Sequence, residues 1–184
     1  MSTLSVDAIQ GQTTAANVKL PEGTPVGWKT AAAVTSTQFS TNSFVTASGI
    51  TLSYAPKYST SILYFNVHIH AFFGQYQNNW ASIGVKLINT TDSAVVFQDV
   101  GYGTGKWSSD ASDREMSYIN FNAAYIPNST SSKTYTVQVA KLTGGGAGSG
   151  MDVNNPSYGG GGRLTVMEIC LLYTSPSPRD GVQS

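Results

Sequence analysis

Cysteine is nearly absent from this sequence: one residue among 184, Cys170, close to the end of the chain. Everything before it can form neither a disulfide framework nor a thiolate metal site, which suits folding in a reducing compartment. Charge is equally scarce. Lys and Arg number 10, Asp and Glu number 10, and the formal net charge is zero. Nucleic-acid binders carry a basic excess as their electrostatic footprint, so no nucleic-acid partner is expected. No apolar run approaches the roughly 20 residues of a membrane-spanning helix, and no membrane insertion is expected. The opening Met1-Ser2-Thr3-Leu4-Ser5-Val6-Asp7 lacks the basic flank and apolar stretch of a signal peptide, which implies assembly in a cytoplasm. Catalytic signatures are missing too. There is no GxSxG elbow, no phosphate-binding loop and no HExxH pair. Asp110 and Asp113 share a polar stretch with Arg114 and Glu115, where a solvated face is the simpler reading than a pair of glycosidase carboxylates. The expectation is a protein that is not an enzyme and has no obligatory cofactor.

What the chain does have is turn residues and period-two alternation. Leu63, Phe65, Val67, Ile69, Ala71 and Phe73 alternate with Tyr64, Asn66, His68, His70 and Phe72, the pattern of a long strand with one apolar face. Ile83, Val85 and Leu87 repeat it, and Asn89-Thr90-Thr91-Asp92-Ser93 reads as a hairpin turn into Ala94-Val95-Val96-Phe97. Further strands are expected at Ile50–Tyr54, Ser117–Ile126, Thr134–Leu142 and Arg163–Ile169, with weaker candidates at Trp28–Val34 and Gln38–Val45. No segment holds a helical period. Short strands separated by turn signals predict an all-β fold, an antiparallel sandwich of jelly-roll type. Residues 1–25 have few apolar side chains and predict an extended attachment segment, leaving residues 26–169 for the sandwich.

Two connections stand out. Residues 102–115 are polar around an isolated Trp107, and residues 143–162 hold nine of the 19 glycines. Long connections in compact domains tend to be functional or disordered. Tyr76-Gln77-Asn78-Asn79-Trp80 joins two strong strands and sets aromatic rings beside amides, a combination suited to saccharides. Trp107, Asn154 and Tyr158 are candidates of the same kind. The alternative for all of them is a turn whose aromatics cap the core edge. His68 and His70 are the one metal-like feature: residues two apart on a strand share a face, and a three-fold assembly would bring six imidazoles to an axis. The alternative is a strand face that happens to hold two histidines.

The last segment changes style. Cys170-Leu171-Leu172-Tyr173-Thr174-Ser175-Pro176-Ser177-Pro178-Arg179-Asp180 resembles, codon by codon, the translation of a transposon-type sequencing adapter. Gln183-Ser184 also fit the constant bases beyond the adapter's index. Residues 170–184 are therefore expected to be a non-native, disordered tail, with the native chain lost after Ile169.

The remainder resembles a known family. Ser2-Thr3-Leu4-Ser5-Val6-Asp7-Ala8-Ile9-Gln10-Gly11-Gln12-Thr13-Thr14 is similar to the opening of tail-fibre-like virion structural proteins of marine bacteriophages, and Leu164-Thr165-Val166-Met167-Glu168-Ile169 is similar to their closing strand. Between these ends, Ile50–Leu63 and Ser131–Val139 resemble internal segments of the same family. The resemblance implies a non-enzymatic component of a virion tail, a homotrimeric fibre or fibre tip that joins other tail proteins and contacts a host cell-surface glycan. A head-decoration or spacer module without a ligand is the alternative, and a tail-spike depolymerase ranks below both. Trimeric symmetry would also cover apolar residues on outer strand faces, such as Ile62, Phe72, Ile88 and Met167.

Overall fold

The computed structural model describes residues 23–33, 35–73, 82–102, 115–143, 151–155, 157 and 161–170. Among these residues ten strands follow one another: β1 (Pro25–Ala32), β2 (Thr37–Phe39), β3 (Val45–Tyr54), β4 (Ile62–Phe73), β5 (Ser82–Asn89), β6 (Ala94–Tyr102), β7 (Glu115–Tyr125), β8 (Lys133–Thr143), β9 (Met151–Val153) and β10 (Arg163–Ile169). All their pairings are antiparallel. No helix among the described residues is long and apolar enough to cross a membrane.

The pairing is that of one long hairpin rolled up on itself. Around the turn at residues 90–93, β5 pairs with β6, β4 with β7, β3 with β8 and β1 with β10. Rolling then adds two contacts, β10 against β4 and β8 against β5. The result is two sheets, β3-β8-β5-β6 and one in which β4 lies between β7 and β10 with β1 beyond. This is the strand order of a jelly roll. The turn itself is built by Asn89, whose Oδ1 accepts the backbone N–H groups of Thr91 and Asp92 at 3.1 and 3.3 Å.

One strand escaped the sequence reading. β9 lies inside the glycine-rich stretch and continues the β10 ribbon, pairing with Ala71–Phe73 of β4 on one side and Thr37–Phe39 of β2 on the other. Three residues are too few to show a period, and only their two partners make them a strand.

The alternation of β4 decides where the core sits. Leu63, Phe65, Val67, Ile69 and Ala71 are fully buried between the sheets, facing Val85 and Leu87 of β5 and Tyr135, Val137 and Val139 of β8 in the same core. The Phe65 and Tyr135 rings meet with centroids 4.7 Å apart, one from each sheet. Phe97 stacks on Phe121 at 4.5 Å, joining β6 of one sheet to β7 of the other. Burial of a side chain of this size contributes about 1.5–3 kcal/mol.

Glu168 is the exception on the inward face of β10. It is fully buried, and its carboxylate bonds reach the end of β3 and the segment that crosses over to β4. Its Oε2 accepts the Tyr54 hydroxyl at 2.8 Å, and its Oε1 accepts the backbone N–H groups of Lys57 and Tyr58 at 2.8 and 3.2 Å. A buried carboxylate is tolerable on these terms, because protein donors replace its hydration. Gly27, opposite Glu168 in the ladder, leaves room for this bond: a Cβ there would meet the Tyr54 hydroxyl and push it off the carboxylate. Cys170 continues the ladder past β10. Its backbone N–H donates to Thr24 O and its carbonyl accepts from Gly23 N, both at 3.0 Å. These bonds are made by the backbone and so do not depend on the side chain at position 170.

Two stability experiments follow. Glu168→Ala would leave three donors facing a cavity and should cost about 3 kcal/mol or more in urea unfolding. Glu168→Gln should cost less, since its amide oxygen can take the two backbone N–H groups while the Tyr54 hydroxyl turns to accept. Equal, small losses for both would contradict this role. The second concerns alkaline pH. Burial, then the hydrogen bond to Glu168 and its charge, holds the Tyr54 phenol well above its ordinary value of 10.0, and burial does the same for Tyr135. Both folded values lie above the unfolded one, so their stabilisation is complete below about pH 10 and is lost as pH rises beyond it. The urea midpoint should fall steeply above about pH 10, and less steeply in Tyr54→Phe; identical slopes would contradict the assignment.

Candidate functional site

Strand register gives the molecule two unlike ends. At one end, Phe73 pairs with both Glu115 and Met151, Ser82 with Thr143, and Ile83 with Tyr102. The connections 74–81, 103–114 and 144–150 therefore all leave the sandwich from this end. At the other end, Ile169 pairs with Pro25 and Ile62, Leu63 with Tyr125, and Asn89 with Ala94. That is the end at which the chain comes in, and its connections are those at 55–61, 90–93 and 126–132. Tyr76, Asn78, Asn79, Trp80, Trp107 and Tyr158, the residues the sequence singles out for a ligand, lie outside the described residues. What the register adds is that the segments holding Tyr76, Asn78, Asn79, Trp80 and Trp107 depart from one end.

Asn154 is described, and it is fully buried. It sits in the left-handed region at φ 58°, which Asn tolerates better than most residues. Its backbone N–H donates to His70 O at 2.7 Å and its Oδ1 accepts the His70 backbone N–H at 3.2 Å. Both of these bonds brace the end of β9 against β4.

His68 and His70 share the outer face of β4, as their spacing predicts, but their surroundings differ. The Tyr118 ring, from β7, packs against both, with centroids 5.4 Å from His68 and 4.9 Å from His70. His68 is half-buried, and its Nδ1 lies 2.6 Å from Asn120 Oδ1. His70 is 1% exposed. Among the described residues no group of three His, Cys, Asp or Glu side chains could hold a metal ion within one chain. Burial, and secondarily the neighbouring His68, holds the His70 imidazole below its ordinary pKa of 6.5.

The wider outer face carries functional candidates that the sequence reading missed. Rows of side chains run across the strands by register: Ala32, Arg163, His68 and Asn120; then Thr30, Thr165, Asn66 and Asn122; then Trp28, Met167, Tyr64 and Ala124. The middle row is hydrogen-bonded across the sheet, with Asn66 Nδ2 donating to Asn122 Oδ1 at 2.8 Å and the Thr30 and Thr165 hydroxyls 2.9 Å apart. The large apolar side chains left open on this face include Trp28, 75% exposed, Tyr118, Met116 and Tyr64. Each looks ordinary in sequence; only pairing between strands distant in the chain sets them side by side.

The depressed imidazole gives an acid-side prediction. The folded pKa of His70 lies below the unfolded value, so its stabilisation is present above about pH 6.5 and is lost as pH falls through the folded value. Urea unfolding between neutral pH and about pH 5 should show a smaller loss of stability in His70→Gln than in the parent chain. An unchanged loss would place the acid sensitivity elsewhere.

No protein-family model matches this chain, and no curated protein matches it. Among solved structures, it is similar to that of infectious bursal disease virus, Gx strain, at 15% identity and a TM-score of 0.46, covering 90% of this chain and 37% of that one. The T13 particle of the same virus matches at 16% identity and a TM-score of 0.42, covering 90% and 39%, and the VP2 subviral particle at 14% and 0.41, covering 91% and 43%. The chain spans less than half the length of each of these proteins. A likeness at this level identifies neither a family nor an activity; the jelly-roll assignment rests on the strand pairing of the chain itself.

Proposed function

We propose that this chain is a virion structural protein of the tail-fibre or fibre-tip type. It is not an enzyme, it assembles as a homotrimer alongside other virion tail proteins, and it contacts a host-surface saccharide. The observation that carries this reading is the polarity of the sandwich. The chain comes in at Gly23–Pro25, beside Ile169, while connections rich in aromatic and amide residues depart from the opposite end. A fibre tip needs attachment at one pole and recognition at the other. The resemblance of both chain ends to tail-fibre-like proteins supports the same reading, and the closing Leu164–Ile169 motif is β10, the strand that holds Glu168.

The homotrimer is supported by the row nearest the attachment pole. Trp28, half-buried Met167, Tyr64 at 36% exposure and exposed Ala124 form an apolar band across four strands, with Ile126 at 44% beyond it. Of the outer-face residues expected to need covering, Ile62, Ile88 and Met167 are half-buried. Closed cyclic symmetry covers such a band by self-association.

Light scattering on a sizing column should give the mass of three chains, and Trp28→Glu should lower it to one. A monomeric parent chain would contradict the fibre reading and favour a decoration module. In a glycan survey, Trp80→Ala or Trp107→Ala should weaken binding about tenfold or more, the equivalent of about 1.4 kcal/mol. A survey without any signal would remove the saccharide from the account.

A further inference from the structure

A groove of about 760 Å³ opens on the outer face of the sheet built around β4, lined by Asn66, His68, Tyr118, Asn120, Arg163 and Thr165. We propose that it binds a pyranose bearing a carboxylate, such as a uronic or sialic acid unit of a surface polysaccharide. The inference rests on the proposed function only in taking a saccharide as ligand; its location is independent of the connections at the recognition pole.

Register sets the spacing of the groups. Arg163 and Asn120 flank His68 on the two neighbouring strands, so their backbones stand about 10 Å apart across two strand spacings of about 5 Å. Arg163 is exposed, forms no ion pair among the described residues, and has no acidic neighbour in the groove lining. Its planar fork matches a carboxylate through two parallel N–H donors. Tyr118 supplies the apolar half. Its side chain is 63% exposed, yet the ring is held against His68 and His70, so a flat surface exists before a sugar arrives and little ordering entropy remains to be lost.

The amides are preset as well. With His68 Nδ1 donating to Asn120 Oδ1, the Asn120 Nδ2 group is left to donate; with Asn66 Nδ2 committed to Asn122, the Asn66 Oδ1 is left to accept. A donor, an acceptor and the Thr165 hydroxyl beside a ring match the hydroxyls and apolar face of a pyranose. Arg163 is the one Lys or Arg side chain in the lining, and its planar two-donor fork suits a single carboxylate. The volume lies within the range of about 300–1,000 Å³ usual for small-molecule sites.

The test titrates the full chain calorimetrically with galacturonic acid oligomers and sialyllactose, using galactose oligomers and lactose as neutral counterparts. At least one acidic ligand should bind, with its neutral counterpart at least about tenfold weaker, and added salt should weaken the acidic ligand alone. Arg163→Gln should abolish the preference for the acidic ligand, and Tyr118→Ala should weaken binding about tenfold or more. Val95→Ala, an exposed change on β6, should leave binding unchanged. Melting temperatures check that each variant folds, and Arg163→Gln carries the test should Tyr118→Ala not fold. No binding of either acidic ligand, equal binding of the neutral ones, or full binding by Arg163→Gln would overturn the groove. Acidic binding lost in Trp80→Ala or Trp107→Ala but kept in Arg163→Gln would overturn the groove and leave the proposed function standing. Groove binding in a chain that never trimerises would keep the groove and remove the fibre reading.

Discussion

Everything in this structure depends on β4 being bonded along both edges while its side chains part to opposite faces. Twelve residues are long enough to span the sandwich, so β7 runs the length of one edge while β10 and β9 share the other. Because side chains alternate strictly, the apolar half of β4 holds the two sheets together and the other half must build the outer surface. A shift of one residue in any of its ladders would put Phe65 and Val67 outside and Asn66 and His68 in the core. The same constraint that secures the core thus fixes which residues can meet a partner.

Glu168 plays the corresponding part at the end where β10 finishes. The crossing from β3 to β4 must carry backbone from one sheet to the other, and the buried carboxylate takes two of its N–H groups together with the hydroxyl of Tyr54. The bonds tie β10 to the end of β3 and to the crossover.

Much of the fold was legible because its signals are local. The alternation from Leu63 to Phe73, the turn at Asn89 and the apolar spacing of Ile83, Val85 and Leu87 each lie within one segment, and each corresponds to an observed element. β9 was not legible, being three residues whose strand character comes wholly from β2 and β4. Nor was the groove: Arg163, His68 and Asn120 are brought together by register between strands remote in sequence. His68 and His70 illustrate the boundary. Their shared face follows from spacing alone, but the full burial of His70 beside a half-buried His68 comes from neighbours distant in the chain, which no local pattern reveals. Glu168 stood in view as part of a closing motif, yet a lone acid in an apolar strand gives no hint of which donors meet it.

Site-resolved amide hydrogen exchange tests most directly the claim that β4 organises the molecule. The account predicts that amides from Leu63 to Ala71, bonded on both edges and backed by the core, exchange only with global unfolding, while those of the edge strand β6 exchange earlier through local opening. Exchange of β4 amides as early as those of β6 would mean that β4 is not the centre of the sheet, and would contradict both the rolled-hairpin topology and the outer face built upon it.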